Sequence, residues 1–208
     1  MPEFAYTPCY CEENVYLLLK TLSGGMGLGD PSGQGQGCEP GDYRVVFVTN
    51  GQRGCAFLEQ KAVPPGLPIV WDYHVILLSG RGEAALIRDL DTRLDLPCAA
   101  TEYLDRTFPR GVEESFRPLF RLIPADRYLG GFSSDRRHMR RLDGSWLQDP
   151  PPWRELRGSG TDDPHELARI LDLQDPRWGP LVDLASLWTE FTPGRFSPDS
   201  SGSRPRRS

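Results

Sequence analysis

No stretch of this chain approaches the roughly 18 consecutive apolar residues that a membrane-spanning helix needs. Its first residues also lack the basic-then-apolar pattern of a secretory signal. Cysteine is sparse and odd in number, five in 208 residues, and Cys9 and Cys11 stand too close together for an ordinary bridge. A disulfide scaffold is therefore not expected. Reduced thiols are, in the cytoplasm and with the nucleus as a second compartment. Histidine is scarcer still, three residues. No C-x-x-C pair or H-x-x-x-H spacing completes a zinc set, and the H-x-E with P-C-x-x-C signature of zinc deaminases is missing. No G-x-G-x-x-G or P-loop spacing is present either, so no nucleotide cradle is indicated. Basic residues number 24 against 29 acidic ones, a net charge of −5, which argues against nucleic acid or an anionic membrane as partner. The expectation is a protein without metal or organic cofactor.

What is present is a globular composition, 38% hydrophobic and 25% charged, long enough to bury a core without staples. After Cys11, the residues Val15, Leu18, Leu19 and Leu22 make the i, i+3, i+4, i+7 stripe of an amphipathic helix that stops at Ser23-Gly24. Residues 23–41 are Gly-rich and read as a flexible loop. Strands are expected at 43–49, 54–59, 68–78 and 84–91, a short helix from Thr101 to Phe108, and a further strand from Phe116 to Ile123. Two later helices are expected, one after Asp163-Pro164 through Leu167, Ile170 and Leu171, the other from Pro180 through Leu184 and Leu187. The Ser/Pro/Arg-rich end reads as a disordered tail. Helix first, strands in a block and helices last indicate an α+β fold with a mainly antiparallel sheet. One catalytic domain over 1–196, with 197–208 as tail, is the expected organisation, and nothing demands more than a monomer.

Three residues carry the chemistry. Cys11 stands at the mouth of the first helix, His74 in an apolar strand and Asp89 in the next one. A turn centred on Arg81-Gly82 would place residue 74 directly opposite residue 89, with Cβ atoms about 4.5–5.5 Å apart. The same register sets Asp91 against Asp72, a like-charge pair, which leaves Asp89 as the better orienting group. A helix N-terminus beside an imidazolium is expected to lower the pKa of Cys11, and Glu12 and Glu13 to oppose it. Iodoacetamide should accordingly label Cys11 before the other cysteines. Most lone strand histidines are core residues satisfied by a neighbour, and most single cysteines are buried apolar groups; the matched aspartate and the helix start set these two apart. His138, in the run RRHMRR, reads as part of a solvated basic face, and His165 as a residue of a polar first turn.

The strings Cys9-Tyr10-Cys11-Glu12-Glu13-Asn14, Val70-Trp71-Asp72-Tyr73-His74-Val75 and Asp89-Leu90-Asp91-Thr92 resemble those of the protein N-terminal glutamine amidohydrolase family. So do Ser133-Ser134-Asp135-Arg136 with His138-Met139, Pro150-Pro151-Pro152-Trp153, Trp178-Gly179 and Glu190-Phe191, and the likeness runs from about residue 9 to 196. The resemblance implies an α/β sandwich of papain-like or transglutaminase-like architecture with a Cys-His-Asp triad at Cys11, His74 and Asp89. It also implies deamidation of N-terminal glutamine to glutamate with release of ammonia, feeding arginine transfer and N-degron breakdown. The partners implied are proteins and peptides that begin with glutamine. The Gly-rich segment is longer than the family's usual connection. Asn14 and Tyr73 are candidates for supporting roles, and Glu12, Glu13, Asp72 and Asp91 for holding the substrate's α-ammonium, unranked. A cysteine protease, a transglutaminase-like acyl transferase and a non-catalytic module that binds protein N-termini remain as other readings.

Overall fold

The computed structural model describes residues 4–24 and 42–192. Most of the expected Gly-rich loop and all of the expected tail lie outside the described residues. Six strands form one antiparallel sheet in the order β6-β5-β4-β1-β7-β8, made of Tyr43–Thr49 (β1), His74–Ser79 (β4), Leu86–Arg88 (β5), Cys98–Ala99 (β6), Leu119–Pro124 (β7) and Leu181–Asp183 (β8). A separate ribbon pairs Cys55–Phe57 (β2) with Ile69–Trp71 (β3). Side chains alternate across the central strands, so the sheet has an apolar layer on each face. Val45, Phe47, Val75 and Leu77 pack with Val15, Leu18 and Leu19 of helix α1 (Cys11–Gly24), and with α3 (Ala125–Gly131) and α4 (Leu167–Ile170). Val46, Val48, Ile76 and Leu78 face α2 (Ala100–Thr107) and α5 (Leu184–Phe191) instead. The result is a mixed α/β fold, helices on both faces of a mainly antiparallel sheet.

The expected stripe of α1 is the one that buries, and the helix starts abruptly for a local reason. Cys9 takes a left-handed φ of 67°, and Asn14 closes the turn by accepting from the Thr7 N–H (2.9 Å) and donating to its carbonyl (2.8 Å). Asn14 thus serves the turn rather than the chemistry.

Four expectations need correction. The strand expected over 68–78 is two, because the chain turns at Asp72-Tyr73; Ile69–Trp71 leaves for the ribbon and only His74–Ser79 joins the main sheet. The β4–β5 register is Leu77↔Arg88, Leu78↔Ile87 and Ser79↔Leu86, shifted by two residues from the expected one. A 3-10 turn over Gly82–Ala84 lengthens the connection, so Asp89 is diagonal to His74 rather than opposite. A shift of two keeps every side chain on its face, where a shift of one would have reversed them all. Pro180 starts no helix: Leu181–Asp183 pairs with β7, and α5 begins only where the Asp183 side chain accepts from the Ser186 N–H at 2.8 Å. Asp163 does not cap α4 either; it accepts from the His165 N–H in a turn before that one-turn helix.

Candidate active site

His74 opens β4 and is buried, with its ring edge-on to Phe57 (centroids 5.5 Å) and stacked on Trp71 (6.5 Å). Its Nε2 meets Asp89 Oδ1 at 2.8 Å. Asp89 is fully buried, yet four groups surround it. Besides the imidazole, it accepts from Gln60 Nε2 (3.0 Å), Tyr103 OH (2.8 Å) and the Asp91 N–H (2.9 Å). Burial alone would raise the carboxyl pKa; the adjacent imidazole and these donors overcome that and bring it to about 2. For His74 the balance runs the other way round. Burial, the largest single effect, disfavours the imidazolium; the charge and hydrogen bond of Asp89, joined by the charges of Asp91 and Glu12, together outweigh it, and the net shift is upward. With Nε2 committed to Asp89, Nδ1 is the ring nitrogen left for the thiol.

Cys11 lies with α1 on the other face of the sheet and lines the same cavity as this imidazole. The N-terminus of α1 abuts the start of β4, where a hydrogen bond from the Val75 backbone meets the Cys11 sulfur. Cys11, His74 and Asp91 line one cavity of about 360 Å³, together with Trp71 and His138. Its resting thiol is not the acidic one expected from the helix start. Burial first, then the charges of Glu12 and Asp91, push the Cys11 pKa well above the ordinary thiol range, and the Val75 hydrogen bond offsets only part of this. Its side-chain hydrogen bond among the described residues goes to Glu12 Oε2, at 3.7 Å, rather than to His74. Rapid alkylation of Cys11 in the resting protein is therefore not expected.

The acidic neighbours differ sharply in what they touch. Glu12 has a fully buried side chain that accepts from Tyr73 OH (3.0 Å) and stands 3.4 Å from His138 Nε2. Glu13 is also fully buried and is claimed by Arg136 and by Trp153 Nε1. Asp72 is exposed and pairs with Arg53 at 3.3 Å. The like-charge opposition of Asp72 and Asp91 does not arise. Asp91 accepts instead from Tyr6 OH.

His138 is the residue that sequence reasoning missed. It is no part of a solvated basic face; it lines the cavity, within 3.4 Å of Tyr73 OH and with its ring 5.2 Å from that of His165. No periodicity marks it, because it lies in a single 3-10 turn, Arg137–Met139, of a segment that folds back over α1. Its place inside one of the strings quoted above was the available signal.

Two alternatives for the site fail on chemistry. A larger cavity of about 1130 Å³ lies by α2 and α5, but neither cysteine nor histidine lines it. His74, Asp89 and Asp91 bring three ligand atoms within 4.8 Å of one another. An ion there would take the atoms that now form the His74–Asp89 hydrogen bond, so this donor set fits a proton-handling pair better than a metal.

Residues 6–191 match the sequence model of a family described as N-terminal glutamine amidase. The chain is similar to proteins named protein N-terminal glutamine amidohydrolase from three well-separated organisms. It is 40% identical over 160 residues to that of Oryza sativa subsp. indica, which covers 74% of this chain and 66% of the relative. For Homo sapiens the figures are 36% over 151 residues, 71% and 69%. For Arabidopsis thaliana they are 36% over 166 residues, 74% and 68%. The matched part of the chain thus spans about two thirds of these relatives.

Proposed function

The chain belongs to the N-terminal glutamine amidase family, and from that premise we propose that it hydrolyses the side-chain amide of an N-terminal glutamine to the carboxylate, releasing ammonia, with Cys11 as nucleophile, His74 as acid and base and Asp89 as orienting group. The observation that carries the residue assignment is the shared cavity, on which the thiol at the start of α1 and the Asp89-bound imidazole of His74 both open. His74 takes the thiol proton as sulfur attacks the amide carbon. The tetrahedral oxyanion forms at the first turn of α1, whose backbone N–H groups lack helical partners; we assign the Cys11 N–H as a donor to it. The imidazolium then gives its proton to the departing nitrogen, and a γ-glutamyl thioester remains. Water, deprotonated by His74, attacks the thioester; the carbon–sulfur bond breaks, the N-terminal glutamate is released, and the imidazolium returns its proton to the Cys11 sulfur. Asp89 fixes the tautomer and stabilises the imidazolium at each stage.

The test is mass spectrometry of three peptides, with glutamine first, glutamine inside, or asparagine first. Only the first should gain the mass of an amide-to-acid change and release ammonia. Ammonia from all three, or a cross-linked amine product, would reject the narrow assignment, the second in favour of an acyl transferase, and cleaved fragments would favour a protease. Binding without conversion would leave an N-terminus-binding module.

A pH dependence follows. His74 must be neutral to take the thiol proton, and Asp89 raises its pKa above the ordinary 6.5. Activity is therefore absent when the ring is protonated and appears as pH rises through the raised value. The acid limb of kcat/KM, which reports the free enzyme, is expected above pH 6.5, and Asp89→Asn should move it down while lowering the rate. A limb unmoved by the substitution would argue against the pairing.

The wider reading rests on the same base. A nucleophile at a helix start, packed on an antiparallel sheet in which β4 opens on the histidine and β5 ends one residue before the aspartate, supports a papain-like or transglutaminase-like architecture for a single catalytic domain over 1–196. Free Cys9, Cys11, Cys55 and Cys98 are consistent with a reducing cytoplasmic or nuclear setting. The net negative charge favours proteins rather than nucleic acid as partners, and no helix among the described residues is long and apolar enough to cross a membrane. Action as a monomer that supplies N-terminal glutamate for arginylation and N-degron breakdown completes the proposal.

A further inference from the structure

We propose that Asp91 receives the α-ammonium of the substrate, and so confines the reaction to glutamine at a chain terminus. The inference rests on the amidase reading and adds the residue that recognises the free amine.

Reach comes first. Four bonds separate the α-nitrogen of glutamine from its side-chain carbonyl carbon, an extended span of about 5 Å from standard bond lengths. The carbon must come within about 3–3.5 Å of the attacking sulfur, so the group that holds the ammonium has to lie on the wall of the same small cavity. Among the described residues, the carboxylates on that wall are Asp72 and Asp91. Asp72 is engaged on both oxygens, by Arg53 at 3.3 Å and by the Tyr73 N–H at 3.0 Å. Glu12 and Glu13 are fully buried and off the wall, and Asp89 is filled by His74, Gln60 and Tyr103.

Asp91 differs from all of them. Tyr6 OH donates to its Oδ1 and fixes the carboxylate. Among the described residues no cation pairs with it, although one of its oxygens lies within 4.8 Å of a His74 ring nitrogen. A half-buried carboxylate that has a hydroxyl but no cation to meet it is a ready seat for a positive charge, and an ammonium about one glutamine side chain from the sulfur supplies one.

The same charge couples recognition to chemistry. Asp91 is one of the groups that keep Cys11 protonated. An ammonium seated on Asp91 cancels that effect, so a substrate with a free terminus makes the thiol easier to ionise. An internal or acetylated glutamine lacks both the anchor and the assistance.

The experiment uses the full chain, wild type and Asp91→Asn, with a glutamine-first peptide and its α-N-acetyl counterpart. Ammonia release is measured alongside iodoacetamide alkylation of Cys11, read by mass spectrometry near neutral pH. Loss of one charge-assisted hydrogen bond should lower kcat/KM for the free-amine peptide about 10–100-fold, chiefly through KM, and shrink the preference over the acetylated peptide. Cys11 of the variant should meanwhile alkylate faster than in wild type. Asp91→Glu, which keeps the charge, should recover part of the preference. Unchanged kinetics in active enzyme overturn this inference alone, and so does a loss of activity with slower alkylation, the mark of a damaged site. Wild-type protein inert toward both peptides overturns the amidase reading and this inference with it.

Discussion

Cys11→Ala is expected to lower kcat/KM for a glutamine-first peptide by at least about 10⁴-fold, because loss of the nucleophile removes covalent catalysis as a whole. Circular dichroism of the variant should be that of the parent, since the side chain is small and only partly buried. The other described cysteines make the contrast. Cys55 and Cys98 are pushed by burial to about 12 and about 11, and neither lines the cavity. Cys9 does line it, but it is exposed on the left-handed turn before α1. Cys9→Ala should therefore keep most of the activity. A coupled ammonia assay on the two alanine variants decides the matter, and comparable activity in both would remove Cys11 from the nucleophile's role.

The spatial relation of the three residues was legible in the sequence to different degrees. The stripe Val15, Leu18 and Leu19 dictated both the helix and its buried face, and so put Cys11 at a helix start facing the sheet. The pairing of His74 with Asp89 was legible because parity survives a two-residue error in register; the turn length was not, because Gly82–Ala84 forms a 3-10 turn that no periodicity announces. The ionisation of Cys11 was read with the wrong sign. A helix start lowers a thiol's pKa only if burial and adjacent carboxylates do not outweigh it, and burial of the side chain is a tertiary fact. Two strands went unseen for a related reason: Cys98–Ala99 and Leu181–Asp183 are edge segments of two and three residues, too short for alternation to register. His138 and Arg136 lie in irregular chain whose position depends on what α1 offers it. Resemblance could mark such residues as belonging together, but periodicity could not.

That irregular chain is held by one buried ion pair, and breaking it should have the largest effect on stability. Arg136 donates from Nε and Nη2 to the two oxygens of Glu13, each at 2.9 Å, while Trp153 Nε1 donates to the same carboxylate at 2.6 Å. The Glu13 side chain has no exposed surface. Arg136→Met removes the guanidinium and leaves a buried charge with one remaining donor, a change that costs about 3–5 kcal/mol. Arg136 sits at a left-handed φ of 60°, a conformation in which arginine and methionine are equally strained, so backbone strain drops out of the difference; what remains is the pair together with the bond from Arg136 Nη2 to the Trp153 carbonyl at 2.9 Å. The midpoint of urea unfolding should fall accordingly. His138 stands two residues further on and lines the cavity, so KM should rise in the folded fraction as well. The double variant Glu13→Leu with Arg136→Met removes the stranded charge, and should lie closer to wild type in stability than Arg136→Met alone. If the single variant unfolds at the wild-type midpoint, the fold over α1 is secured by something other than this pair. If instead the double variant is no better than the single, the loss comes from packing of the arginine stem and from its hydrogen bonds to the backbone of 151–154 rather than from the stranded Glu13 charge.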